Sequence, residues 1–229
     1  MKKIKLLIIT TMLLFTLTAC NLEGSNDKND YETVSITHQI SKYKEMDGDT
    51  AIYQKVEVTE EFYVNPRKVV TFSWGVADIF NYFGLDKVGI EKLGLPTETS
   101  NIPNLIGKLN DIDYITTGTL HIINYNAIDL LNPDLIILDG RTASEYEHIK
   151  ENYPNVNVLD ASSTNYSLEQ QKSIFNNLGK IFPSIKDGLN EEINEFELAF
   201  ADISAKAKTF NAMFIMLNGN KISDFSHEQ

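Results

Sequence analysis

The sequence of 229 residues contains two arginines, and one of them lies where a parallel sheet binds ligands. Arg141 follows an apolar segment, residues 134–138, that is predicted to be a buried strand, and ligands of parallel sheets sit beyond the carboxyl ends of the strands. Arg67 instead precedes a strand, which favours a surface position. A guanidinium is always charged and offers a planar fork of donors to paired oxygens. Arg141 is therefore a candidate to contact an anionic ligand; the alternatives are an exposed loop position or a salt bridge to Asp139 or Asp160.

Four further side chains are candidates for the same edge of the sheet. Trp74 stands at the junction between the first predicted parallel strand and its helix, where an aromatic ring can stack on a ligand or anchor the core. Tyr146 lies five residues beyond Arg141, and core packing or a hydroxyl in the cleft are comparable options. Asn165 and Tyr166 follow the strand that ends at Asp160 and are weaker candidates.

The residue types that would indicate an enzyme or a metal site are absent or scattered. The four histidines have no spacing that suits a metal, a nucleophile elbow of the form Gly-x-Ser-x-Gly is missing, and there is one cysteine. The net charge of −12 disfavours a nucleic-acid partner. We predict neither catalysis nor an intrinsic cofactor or metal.

Strands and helices alternate in the body of the chain, which predicts an α/β fold with a parallel sheet. A turn at residues 46–49 separates two antiparallel strands that precede this sheet. Predicted parallel strands occupy 68–72, 87–90, 134–138 and 156–159, and predicted helices occupy 73–84, 124–132, 142–153 and 167–182. A long helix then covers about 184–208, and residues 212–217 form a last apolar strand followed by a turn at 218–220.

The first twenty residues are typical of an export signal. Three lysines precede fourteen mostly apolar residues, whose helical length of about 21 Å falls short of the ~30 Å hydrocarbon core of a membrane. The signal ends in Leu-Thr-Ala-Cys, the form of a bacterial lipobox, so Cys20 is predicted to be lipidated and to anchor the protein at the extracytoplasmic face of the cell membrane. An ordinary signal peptide is the alternative.

Four segments are informative together: residues 65–72 (NPRKVVTF), the helix that ends at Gly84, residues 124–137 (NYNAIDLLNPDLII) and the long helix. They resemble the substrate-binding proteins of ABC importers for ferric siderophores, haem and vitamin B12. Gly140 and Arg141, with Tyr146 downstream, look like the subgroup that binds catecholate siderophores. Residues 218–225 (NGNKISDF) resemble the start of that subgroup's second lobe, and the match covers roughly residues 56–225.

The resemblance implies two α/β lobes joined by a long helix, with ligand held between them, and only the first strand of the second lobe in this chain. The implied organisation is a signal peptide (1–19), a lipidated tether (20–32), an N-terminal lobe (33–183), a linking helix (184–210) and an incomplete C-terminal lobe (211–229). The sequence is interpreted as a C-terminally truncated member.

The implied function is capture of a ferric, catecholate-type siderophore and its delivery to the permease of an ABC importer. Arg141 would belong to a basic cleft floor, Trp74 would stack on catechol rings, and the iron would arrive already chelated. In many members a Glu docks the lobe on the permease; Asn126 stands at that position, and Asp129 is a possible substitute. The alternatives are a haem or corrinoid binder of the same family, or a nonfunctional, truncated surface lipoprotein.

Overall fold

A parallel sheet of five strands forms the centre of the protein in the computed structural model. The structure describes residues 32–96, 114–162 and 167–207, together with the backbone of 215–218 and 221–224. The spatial order of the sheet is β5-β4-β3-β6-β7, and every pair in it is parallel. Its strands are β3 (Lys68–Thr71), β4 (Lys92–Leu95), β5 (Tyr114–Thr116), β6 (Leu135–Leu138) and β7 (Asn157–Asp160), and the hairpin before them is β1 (Thr33–Asp47) and β2 (Thr50–Tyr63). The predicted α/β class with a parallel sheet is confirmed.

Helices connect the strands, and their ends follow the capping signals of the sequence. Ser73 accepts a hydrogen bond from the backbone N–H of Val76, Asn124 from Ala127 and Ser167 from Gln170, so each caps the helix that follows it. The helices are α1 (Trp74–Phe83), α2 (Leu85–Val88), α3 (Tyr125–Leu131), α4 (Tyr146–Asn152), α5 (Leu168–Ile181) and α6 (Lys186–Ala207).

The sheet is buried on both faces, which explains why its strands are apolar without alternation. All four residues of β6 are buried. On one face Leu135 and Ile137 pack in a core with residues of α1, α5 and α6, and on the other Ile136 and Leu138 pack with residues of α3 and α4. Burial of this kind contributes about 25 cal/mol per Å² of apolar surface and is the main stabilisation of the lobe.

The hairpin of β1 and β2 covers the outer edge of β7. The Asn157 side chain accepts a hydrogen bond from the backbone N–H of Tyr63 and donates one to the carbonyl of Glu61, so it takes the place of a strand partner. Asn177 of α5 donates to the carbonyl of Thr37. Since an uncovered edge strand invites association, the hairpin also protects this side of the sheet.

The predicted strand at residues 87–90 is wrong. Residues Leu85–Val88 form a short helix instead, which ends at Gly89 in the left-handed conformation (φ 88°), and β4 begins at Lys92. The two glycines that flank the segment, Gly84 and Gly89, both have positive φ and confine it to one tight turn. The apolar residues Val88 and Ile90 are buried, but from a helix and a loop.

The long helix is present, although its apolar stripe is only partly covered. Leu189 and Ile193 are buried, whereas Phe196, Phe200 and Ile203 are more than half exposed. Farther along, β8 (Ile215–Asn218) pairs antiparallel with β9 (Lys221–Asp224) and forms a sheet of its own. β8 overlaps the predicted strand at 215–217, and the other residues of that strand and most of the predicted turn lie outside the described residues. Among the described residues, no helix is both long and apolar enough to cross a membrane.

Candidate functional site

The order of the strands places a crevice between β3 and β6. From β3 the chain proceeds to β4 and β5 on one side, and then returns to β6 and β7 on the other side. At such a switch point the connections leave the sheet in opposite directions, so a crevice opens beyond the carboxyl ends of the two strands. The loops after Thr71 and Leu138 therefore border the place where an α/β sheet binds its ligand.

The loop after β6 holds Arg141 in a defined position. The Asp139 carboxylate accepts a hydrogen bond from the backbone N–H of Arg141 at 2.9 Å, and its other oxygen lies 3.3 Å from Arg141 Nη1. The backbone carbonyl of Asp139 also accepts a hydrogen bond from the backbone N–H of Thr142, at 3.1 Å. The guanidinium is half exposed. One of the alternatives predicted from the sequence, pairing with Asp139, is thus present, and it leaves donors of the guanidinium facing solvent.

The loop after β3 leads directly to the chain's single tryptophan, Trp74. Ser73 is fixed by a hydrogen bond from its backbone N–H to Thr71 Oγ1, and Trp74 begins α1. The Trp74 ring is half-buried against the core, and its Nε1 is buried without an acceptor among the described residues. Both roles predicted for this ring, a core anchor and a wall of the cleft, fit its position.

Together these loops and the face of α5 enclose an open depression of about 660 Å³. Arg141, Asp139 and Asp78 are its charged lining residues, so the described lining carries one positive and two negative groups. Aromatic and aliphatic surface comes from Trp74, Ile79, Ile174 and Phe175. A depression of this size, lined by both apolar and polar side chains, can hold part of an organic ligand of moderate size.

Ser162 extends the depression toward the edge strand β7. Its backbone N–H donates to Asp160 Oδ1 at 2.9 Å, and its hydroxyl is 2.5 Å from Lys55 Nζ of the hairpin. A methyl group added at Gly140 would lie 4.0 Å from Ser162 Cβ, so the loops after β6 and β7 are in contact. Ser162 also lines a smaller pocket of about 230 Å³ between the hairpin and α5.

Tyr146 does not line the depression. It is buried beneath the hairpin, in the core on the other face of the sheet from Trp74. Its hydroxyl donates to Glu60 Oε2 at 2.5 Å, and Glu60 also approaches His38 Nε2 and Lys150 Nζ, both at 3.4 Å. We call His38, Glu60, Tyr146 and Lys150 the hairpin cluster. Of the two options for Tyr146, the structure shows the packing one.

The hairpin cluster fixes the protonation of its members. Burial lowers the pKa of His38 and outweighs the neighbouring Glu60 carboxylate, which would raise it. The backbone N–H of Asp160 points at His38 Nδ1 (3.4 Å), which makes Nδ1 an acceptor and leaves the proton on Nε2, facing Glu60. Burial would raise the pKa of Glu60, but the bond from Tyr146 and the charge of Lys150 bring it below its ordinary value.

The other predicted site residues are dispersed. Asn126 and Asp129 are exposed on α3, where Asp129 accepts a hydrogen bond from the Tyr153 hydroxyl at 2.7 Å. Cys20, Asn165 and Tyr166 lie outside the described residues. Sequence reasoning missed Asp78, Ser162, Gln171 and Phe175 as lining residues of the depression. Phe175 and Gln171 belong to the regular pattern of α5 and carry no local signal, whereas Ser162 could have been found from its place after a parallel strand.

Comparisons with known proteins find relatives of the kind that the resemblance indicated. The chain is 28% identical over 230 residues to the petrobactin-binding protein YclQ of Bacillus subtilis, across 98% of this chain and 65% of that protein. The crystal structure of YclQ superposes with a TM-score of 0.60, over 82% of this chain and 61% of that one. A second relative, the Fe(3+)-citrate-binding protein YfmC of Bacillus subtilis, is 26% identical over 142 residues, covering 62% of this chain and 42% of that protein.

The fold is also that of a TroA-like periplasmic binding protein from Xylanimonas cellulosilytica, with a TM-score of 0.66 at 22% identity over 86% of this chain and 62% of that one. A scan against protein-family models finds no match. The chain spans less than two thirds of the length of the relatives it matches. The resemblance to siderophore-binding proteins, made from the sequence, is confirmed.

Proposed function

We propose that this chain is a solute-binding lipoprotein that captures a ferric siderophore of the catecholate class and delivers it to an ABC importer. The observation that carries the proposal is the depression at the switch point of the sheet, in which Arg141 and Trp74 face the same space. The similarity to a protein named for binding petrobactin supports the same ligand class.

The residues of the depression suit such a ligand chemically. Ferric catecholate complexes are anionic, aromatic and already fully coordinated, so the protein needs no ligand to the iron. The exposed donors of Arg141 can bond catecholate oxygens, and charged hydrogen bonds of this kind are worth about 1.5–3 kcal/mol. The rings of Trp74 and Phe175 offer surfaces on which catechol rings can stack. Binding is noncovalent, and no step of catalysis is involved.

The placement of the protein in the cell belongs to the same proposal. Lipidation of Cys20 would hold the chain at the outer face of the membrane, on the tether of residues 20–32. Residues 33–183 would form the ligand-binding lobe, 184–210 the linking helix and 211–229 the beginning of a further lobe. Asn126 and Asp129, exposed on α3, would contact the permease.

Fluorescence of the single tryptophan tests the proposal, because Trp74 lines the depression. Titration of the full chain with ferric tris(catecholate) should quench Trp74 saturably, and Arg141→Ala should weaken binding roughly tenfold, the equivalent of about 1.4 kcal/mol. Arg67→Ala is the matched control, since Arg67 pairs with Glu91 at 2.8 Å and precedes β3. It therefore lies at the amino end of that strand, whereas the depression lies at the carboxyl ends.

Three results would count against the proposal. Equal effects of the two arginine substitutions would show that Arg141 does not contact the ligand. Quenching that never saturates would show that the depression is not a specific binding site. Tight binding of haem, seen as a Soret band, without any response to the ferric catecholate would assign a different ligand class.

A further inference from the structure

A second cation lies beside the depression, supplied by the hairpin rather than by the sheet. Lys55 of β2 reaches across to the carboxyl end of β7, where its Nζ lies 2.7 Å from Asp160 Oδ2 and 2.5 Å from Ser162 Oγ. Its side chain is 27% exposed, while the Asp160 side chain is completely buried. The contact joins residues 105 positions apart, so no sequence pattern pointed to it.

The buried Asp160 carboxylate explains why Lys55 stays in place. A carboxylate without exposure to water requires a partner, and Lys55 is the cation paired with it. An ammonium has three donors, of which Asp160 and Ser162 occupy two. The third has no protein partner among the described residues, and the exposed fraction of the side chain gives it access to solvent.

Ser162 connects Lys55 to the ligand space. It lines the depression together with Gly140 and Arg141, and the loops that carry Gly140 and Ser162 are in contact. Lys55 is not itself a lining residue, but its ammonium is one hydrogen bond away from the lining residue Ser162. An anion that occupies the depression between Arg141 and Ser162 would therefore have one cation on each side. Asp139 offsets Arg141, and Asp160 offsets Lys55, so either cation alone is a weak attraction for a multiply charged anion.

We propose that Lys55 is a ligand-binding residue, which recognises the negative charge of the ferric complex from the hairpin side of the depression. The inference rests on the proposed function and adds the hairpin to the site, which the resemblance does not assign. In this arrangement Asp160 has two effects: it holds Lys55 at the edge of β7, and it weakens the attraction of Lys55 for an anion.

Two substitutions with opposite expected effects test the proposal in the full chain. Lys55→Gln should weaken binding of ferric tris(catecholate), which carries three negative charges, roughly three- to tenfold, the range expected for one charged contact near the surface. Asp160→Asn keeps one acceptor oxygen, for the backbone N–H of Ser162, and removes the opposing charge, while Ser162 Oγ still accepts from Lys55. It should therefore strengthen binding by a similar factor. Neither should alter binding of ferric tris(acetohydroxamate), which is uncharged.

Lys42→Gln, an exposed position on β1, is the matched control and should leave both affinities unchanged. Circular dichroism and thermal unfolding show whether each variant folds. If Lys55→Gln does not fold, Asp160→Asn alone decides, because a purely structural ion pair predicts no gain in affinity for the anion when Asp160 is neutralised.

The outcomes separate this inference from the proposed function. Loss of affinity in Arg141→Ala, with no response to Lys55→Gln or Asp160→Asn, overturns the role of Lys55 and leaves the depression as the binding site. Absence of saturable quenching in the unsubstituted chain overturns both. Equal effects on the charged and the uncharged complex would also contradict the proposal, since they would show a change of shape rather than of charge.

Discussion

Replacement of Tyr146 by Phe separates the role of this side chain in folding from a role in binding. The substitution removes only the hydroxyl, which donates to Glu60 at 2.5 Å. A hydrogen bond to a charged group contributes about 1.5–3 kcal/mol. Glu60 keeps Lys150 and His38 as partners, and 27% of its side chain is exposed, so water can replace part of the loss. We therefore expect the lower end of the range, about 1.5 kcal/mol of unfolding free energy.

For a chain of this length, that loss corresponds to a decrease of about 3–6 °C in melting temperature. Urea unfolding followed by circular dichroism gives the free energy, and quenching of Trp74 by ferric tris(catecholate) gives the affinity, which should not change. Tyr153→Phe is the control, because the Tyr153 hydroxyl bonds the exposed Asp129 and should contribute less than about 0.5 kcal/mol. The reasoning is refuted if Tyr146→Phe lowers the affinity while the unfolding free energy stays the same.

Two further predictions concern stability. Burial lowers the pKa of His38 below 6.5, so the unfolded chain takes up the proton first as the pH falls. The contribution of His38 to stability is therefore complete above about pH 6.5 and is lost as the pH falls below it. The difference in unfolding free energy between the unsubstituted chain and His38→Gln should shrink from pH 8 to pH 5, and a constant difference would contradict this. Gly94→Ala would place a Cβ 2.6 Å from Thr117 Cγ2 and should lower the unfolding free energy, measured in urea, by about 1–3 kcal/mol. Gly75→Ala is the control, because the nearest contact of its Cβ would be Ser73 Oγ at 3.8 Å, and it should leave the unfolding free energy unchanged. Equal stabilities of the two variants would show that the core around β4 adjusts.

Most of the fold could be predicted from local signals. The apolar residues of β6 indicated a strand buried on both faces, and Ser73, Asn124 and Ser167 marked the starts of helices. The error at residues 87–90 has a local cause as well. A short apolar segment does not distinguish a strand from one turn of helix, and the glycines on both sides favour the helix here.

The site was predictable only in part, because its geometry depends on contacts between distant segments. The rule on carboxyl ends of parallel strands placed Arg141 and Trp74 at the same crevice. The rule could not show that Tyr146, only five residues after Arg141, turns its side chain toward the hairpin and away from the crevice. It also could not reveal Lys55, since the position of the hairpin against β7 depends on side-chain bonds such as those of Asn157.

The hairpin has a consequence for the time course of folding. Strands β1 and β2 pair with each other across a turn at Asp47–Thr50, and local hairpin pairing of this kind takes microseconds. Their attachment to β7 joins Tyr63 to Asn157, 94 residues away, and must wait until the intervening strands have assembled. The wall beside Ser162 thus depends on contacts of large sequence separation, which are the slowest to form in folding.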